Sequence, residues 1–131
     1  MARDSQLQFD ERIQKIASLA DEVKAENMIL FDVRNTLDIC DYFILCDAPS
    51  STRVRAIAEN IVTEMKHEGE KPIHVDGLRE GRWVVVDFGD VIVHIFQKES
   101  RDFYDIEELW SDAPKYRLAT DPVSGKLQVV K

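Results

Sequence analysis

A chain of 131 residues with 44% apolar and 32% charged residues has the material for one hydrophobic core and a well-solvated surface. This is not the profile of a disordered chain, which couples few apolar residues with a large net charge. Lys and Arg number 17 against 25 acidic residues, for a net charge of −8 with His neutral, and even counting His no basic run exceeds two residues. Wrapping DNA or RNA needs clustered Lys and Arg, so that class of function is excluded.

In chain order, the first periodic segment runs from Phe9 to Val23. Phe9, Ile13, Ile16, Ala17, Ala20 and Val23 recur at helical spacing with polar residues between them. Met28 to Val33 is a continuous apolar run too short for a helix and reads as a buried strand. Arg34-Asn35-Thr36 supplies turn chemistry, and Tyr42 to Cys46 is a second strand. Cys40 and Cys46 lie within or beside these apolar stretches, where Cys acts as a small core residue. A single strand cannot fold back to join them, so no disulfide is expected.

The clearest helix follows. Ser50 and Ser51 offer capping oxygens after Pro49, and Val54, Ile57, Ala58, Ile61, Val62 and Met65 form one apolar stripe that Gly69 stops. A strand is expected at Ile73-His74-Val75, then a polar connection from Asp76 to Gly81. Trp83 to Phe88 and Val91 to Phe96 flank Gly89-Asp90 and predict a tight antiparallel hairpin. Ser100 to Trp110 reads as a short acidic helix or two turns. The resulting order, α-β-β-α-β-β-β-α, predicts a single α/β domain with a mixed sheet packed by helices. The stretch from Ala113 to Lys131 carries two of the four prolines and four basic residues against Asp121 alone. It is expected to be a loosely held extension ending in a short strand at Leu127 to Val130. The polar N-terminus and the lack of an apolar run long enough to span a bilayer lead to an expected cytoplasmic location.

The search for catalytic chemistry is unproductive. Asp87-Phe88-Gly89 matches the kinase magnesium motif by letters, but the Gly-rich loop, strand lysine and catalytic loop that a kinase needs are missing. A hairpin-entry role suits Asp87 better. Asp38 with Asp41, and Asp87 with Asp90, are close acidic pairs of the kind that hold Mg²⁺ in phosphoryl transfer. Such a site also needs a phosphate cradle, and Ser50-Ser51-Thr52-Arg53, the one candidate, lacks glycine. Turn and capping duty is the better reading. His67, His74 and His94 belong to different elements, and no His/Cys pair has zinc-site spacing. His94, in mid-strand, reads as a hydrogen-bonded structural histidine or an interface residue. No catalytic residue, cofactor site or metal site is therefore assigned.

The second half carries a different kind of signal. Trp83, Phe103, Tyr104 and Trp110 occur near Glu99, Asp102, Asp105, Glu107, Glu108 and Asp112, and from Glu99 to Asp112 those six acids face Arg101 alone. Aromatic anchors beside one sign of charge suit docking on a basic protein. Composition equally allows the aromatics to be core and the acids a solvated helix face.

The run from Gly77 to Phe96, Gly-Leu-Arg-Glu-Gly-Arg-Trp-Val-Val-Val-Asp-Phe-Gly-Asp-Val-Ile-Val-His-Ile-Phe, resembles the central signature of the Iojap/RsfS family of ribosomal silencing factors. Arg101 to Trp110, followed by Ser111-Asp112-Ala113-Pro114, resembles its second signature. Asp38 to Ile44 and Ser51-Thr52-Arg53 are similar to upstream family blocks. The resemblance covers Phe9 to Pro114, which sets an expected family-like domain at 1–114 and an extension at 115–131. It implies an α/β fold similar to nucleotidyltransferases but without their active site. It also implies binding to the large ribosomal subunit through ribosomal protein number fourteen, a basic protein on the face that meets the small subunit. Blocking that face would repress translation when nutrients are short. Homodimers are common in the family. Neither DNA nor a membrane is an expected partner. On this basis Trp83, Asp87, His94, Tyr104, Asp105 and Trp110 are the expected ribosome-binding residues. Two alternatives stand beside silencing: a role in large-subunit assembly, and a nucleotidyltransferase-like enzyme.

Overall fold

β2 and β5 are apolar along almost their whole length because both faces of the sheet are covered where they run, as central strands require. A computed structural model describes residues 11–35, 40–104, 113–120, 123 and 127–130. Its elements are α1 (Glu11–Glu22), β1 (Glu26–Asp32), β2 (Tyr42–Ala48), α2 (Ser51–His67), β3 (His74–Asp76), β4 (Trp83–Asp87), β5 (Val91–Gln97), α3 (Lys98–Tyr104), β6 (Lys115–Thr120) and β7 (Leu127–Val130). Among the described residues the strands form one sheet in the order β3-β4-β5-β2-β1-β6-β7. β2 and β5 pair in parallel and the other neighbours pair antiparallel. The expected mixed sheet packed by helices is the architecture found.

Local chemistry explains the helix ends. The Ser50 hydroxyl accepts from the Arg53 amide at 3.2 Å, an N-cap bond that satisfies one free donor of α2. At the other end the Gly69 amide donates to the Lys66 carbonyl and the Glu70 amide to the Met65 carbonyl, with Gly69 at φ +85°. This is the left-handed closure that glycine adopts without a Cβ penalty. α1 ends in the same way, with Lys24 at φ 63° where glycine would be easier. The Lys24 amide there donates to Asp21 and the Ala25 amide to Ala20. The stripe Val54, Ile57, Ala58, Ile61 and Met65 is buried, together with Ile13, Ile16, Ala17, Leu19 and Ala20 of α1. Both helices pack on one face of the sheet, against Leu30, Ile44, Cys46, Val84, Val86, Val93 and Ile95.

The opposite face carries a second apolar cluster of Phe31, Val33, Cys40, Phe43, Leu45, Ile92, Phe96 and Ala113, with Ile29, Trp83 and Val85 at its margin. Cys40 and Cys46 are both free and belong to apolar clusters on opposite faces of the sheet, Cys40 lying just before β2 and Cys46 within it. The hairpin forms as its turn chemistry predicts: the Phe88 amide donates to the Val91 carbonyl, and the Asp87 carboxylate accepts from the Gly89 amide at 2.7 Å. Before it, Gly77 comes so close to Trp83 that a Cβ there would lie 2.1 Å from the Trp83 carbonyl oxygen.

Several boundaries differ from the sequence reading: β1 spans Glu26–Asp32 rather than Met28 to Val33, and β2 runs past Cys46 to Ala48. β3 starts one residue later than the expected Ile73, whose amide instead donates to the Asp87 carbonyl at 2.7 Å just outside the ladder. The acidic helix begins at Lys98 and is described only to Tyr104, so the rest of the expected helix lies outside the described residues. The expectation of a loosely held extension is corrected at Lys115 to Thr120: β6 pairs antiparallel with β1, matching Leu30 with Tyr116. Its alternation buries Leu118 while leaving Lys115, Arg117 and Ala119 exposed. Basic residues on the solvated face disguised an edge-side strand as a polar tail. The terminal strand at Leu127 to Val130 is present as β7, paired with β6.

Candidate docking site

Strand register brings three of the expected binding residues to one face of the sheet. Trp83 and Asp87 alternate with buried Val84 and Val86 and so point away from the helices, and Val85 between them stands opposite His94. Across the sheet, Trp83 faces Phe96, and Phe96 faces Asp47. The next row joins Val85, His94, Leu45 and Ile29.

The aromatic side chains of this face hold one another. The Trp83 indole Nε1 donates to His94 Nδ1 at 3.1 Å, and the indole stacks on Phe96 with centroids 5.1 Å apart. Phe43 meets the His94 imidazole edge-on at 5.0 Å. Because Nδ1 accepts, the imidazole is neutral with its proton on Nε2. Burial also pushes the His94 pKa down to about 4, since charge is costly away from water. His94 is only 7% exposed. It backs the half-buried Trp83 indole, to which it is hydrogen-bonded.

Asp87 is half-buried and committed in part to the hairpin turn. Its neighbour in sequence, Asp90, pairs with Arg12 of α1, which also donates to Glu70 at 2.6 Å. The Arg12 hydrogen bond holds the Asp90 carboxyl below its usual range, partly offset by desolvation. The two aspartates therefore serve different contacts. Among the described residues, no three His, Cys, Asp or Glu side chains come together as metal ligands would. Asp38 lies outside the described residues.

Tyr104 is the last residue of α3, and of its side chain nothing is described. Asp105 and Trp110 lie outside the described residues. What the structure does establish is how α3 is held. Arg101 Nη1 donates to Asp47 Oδ2 at 3.0 Å and to the Asn27 carbonyl at 2.8 Å, and the Asn27 amide reaches both Asp47 oxygens at 3.2 Å. Sequence reasoning missed this cluster. Its traces were an aspartate inside the apolar run of β2 and a single base among six acids from Glu99 to Asp112. An acid in a buried strand needs a partner, and the partner was 54 positions away.

The family model described as "Ribosomal silencing factor during starvation" matches residues 6–129. This match extends through β6 and most of β7, beyond the Pro114 limit of the motif resemblance. Ribosomal silencing factor RsfS of Bacillus subtilis is 41% identical over 103 residues, covering 78% of this chain and 87% of that protein. A crystal structure of a Chromobacterium violaceum protein is similar with a TM-score of 0.76 and 28% identity, over 80% of this chain and 88% of that one. One from Bacillus halodurans gives 0.74 and 31%, over 82% and 97%. Among the described residues, no helix is long and apolar enough to cross a membrane.

Proposed function

Because this chain belongs to the RsfS family of ribosomal silencing factors, we propose that it binds the large ribosomal subunit and keeps the small subunit from joining. The observation that carries this reading is the half-buried Trp83, locked by His94 and Phe96 on the sheet face away from α1 and α2. A large aromatic held rigid before binding loses little entropy on contact, which is the property of an interface anchor. Trp83, Asp87, Tyr104, Asp105 and Trp110 make the contact surface in this reading, with His94 beneath it.

The partner that fits is a basic protein of the subunit-joining face, ribosomal protein number fourteen of the large subunit. A chain of net charge −8 is repelled by bare rRNA and attracted to a basic protein surface. The action is occupancy in the cytoplasm, with no catalytic step: the bound protein stands where the small subunit must dock, and translation falls while it stays.

A joining assay with purified subunits tests this directly. Added protein should lower the yield of joined ribosomes and co-sediment with large subunits alone. Trp83→Ala should weaken that binding roughly 30-fold or more, as loss of an anchor worth about 2 kcal/mol does. Rim acids such as Asp105 should mainly slow association, and less so at high salt. Unchanged joining at saturating protein would defeat the proposal.

A further inference from the structure

We infer that Asn27, Asp47 and Arg101 form a positioning device for docking: together they set how α3 leaves the sheet and so how its C-terminal end at Tyr104 is placed relative to Trp83. The inference rests on the docking reading above and adds residues that touch no partner.

Three observations support it. First, α3 is a helix of only seven residues, too short to hold its own orientation, so its placement comes from tertiary contacts. Arg101 lies in its middle, with its side chain 6% exposed and ion-paired to an Asp47 side chain 3% exposed. Second, the cluster is directional. β1 carries a bulge between Glu26 and Ile29, and within it Asn27 takes φ 51°, turning its carbonyl to Arg101 while its amide bridges the Asp47 oxygens. A left-handed residue in a bulge is a common way to re-aim a group, and Asn tolerates that conformation. Third, Asp47, Phe96 and Trp83 occupy one row across β2, β5 and β4. The side chain that anchors α3 and the proposed aromatic anchor are thus referenced to the same line of backbone.

A buried ion pair contributes little net stability compared with apolar side chains of similar volume, and where such pairs earn their place it is through geometry. That contrast supplies the test. The full chain is measured for binding to isolated large subunits and for thermal stability, as parent, as the Asp47→Leu/Arg101→Met double variant, as Asn27→Gly, and as Trp83→Ala. Replacing both charges keeps the packing but removes direction. The double variant should melt within a few degrees of the parent yet bind at least ten-fold more weakly. Parent-like stability with parent-like binding would mean the cluster serves only the fold, and overturns the inference. Should the double variant fail to fold, Asn27→Gly decides. Glycine keeps the left-handed backbone and the carbonyl but deletes both amide bonds to Asp47, so binding should fall at least three-fold with little change in melting. Parent-like binding of that folded variant overturns the inference. Trp83→Ala separates the two levels: weakened binding there with parent-like binding in the cluster variants leaves the docking face standing and removes the positioning role. A Trp83→Ala variant that binds as the parent does counts against the docking face itself and overturns the inference with it.

Discussion

Arg101 of α3 and Asp47 of β2 are ion-paired at 3.0 Å, with both side chains more than nine-tenths buried. Taking either charge from water is costly, and the pair persists because each carries further hydrogen bonds to Asn27. Removing one partner strands the other. Asp47→Ala is expected to lower unfolding stability by about 3–5 kcal/mol, whereas replacing both residues with apolar side chains of similar volume should be close to neutral. Urea unfolding of the single and double variants measures the difference, and a single variant within about 1 kcal/mol of the parent would contradict it.

His94 sets an acid-side limit on stability. Its folded pKa of about 4 lies below the ordinary value of 6.5, so between these pH values the unfolded chain binds a proton that the folded chain refuses. Its contribution is complete above pH 6.5 and is lost as pH falls toward 4, by up to about 3 kcal/mol. The depressed Asp90 carboxyl acts in the same direction but below its ordinary value of 3.8, under that window. Urea midpoints at several pH values should therefore drop between neutrality and pH 4.5 in the parent. They should drop less in His94→Gln, which has no titrating group; equal slopes would refute the assignment.

Ile61 is fully buried between α2 and the sheet. Ile61→Ala removes apolar contacts and leaves a cavity that close packing cannot fully collapse, at a cost of about 2–5 kcal/mol. A thermal midpoint within a degree or two of the parent would show that the site relaxes far more than a packed core does.

Lys24 offers the opposite sign. It closes α1 at φ 63°, in a backbone region where an L side chain crowds the following carbonyl. Lys24→Gly should stabilise the protein by about 0.5–1 kcal/mol, the relief of strain outweighing the entropy that glycine adds to the unfolded chain. A lower urea midpoint in the variant would mean that Lys24 makes compensating contacts.

The local features of this protein were set by sequence alone. The 3.6-residue recurrence from Val54 to Met65 marks α2, the Ser50 cap and Gly69 mark its ends, and Gly89-Asp90 between two β-branched runs marks the hairpin. Those signals act within a few residues, so they survive without knowledge of the rest of the chain. The family signatures around Trp83 and Arg101 were legible for the same reason. Only the tertiary structure decided that Trp83 and His94 share a hydrogen bond, that Lys115 to Thr120 pairs with β1, and that Arg101 finds Asp47 and Asn27. Strand pairing and burial join positions far apart in sequence. Whether a lysine-flanked stretch is tail or strand, or a lone arginine is surface or core, depends on which partner the fold brings to it.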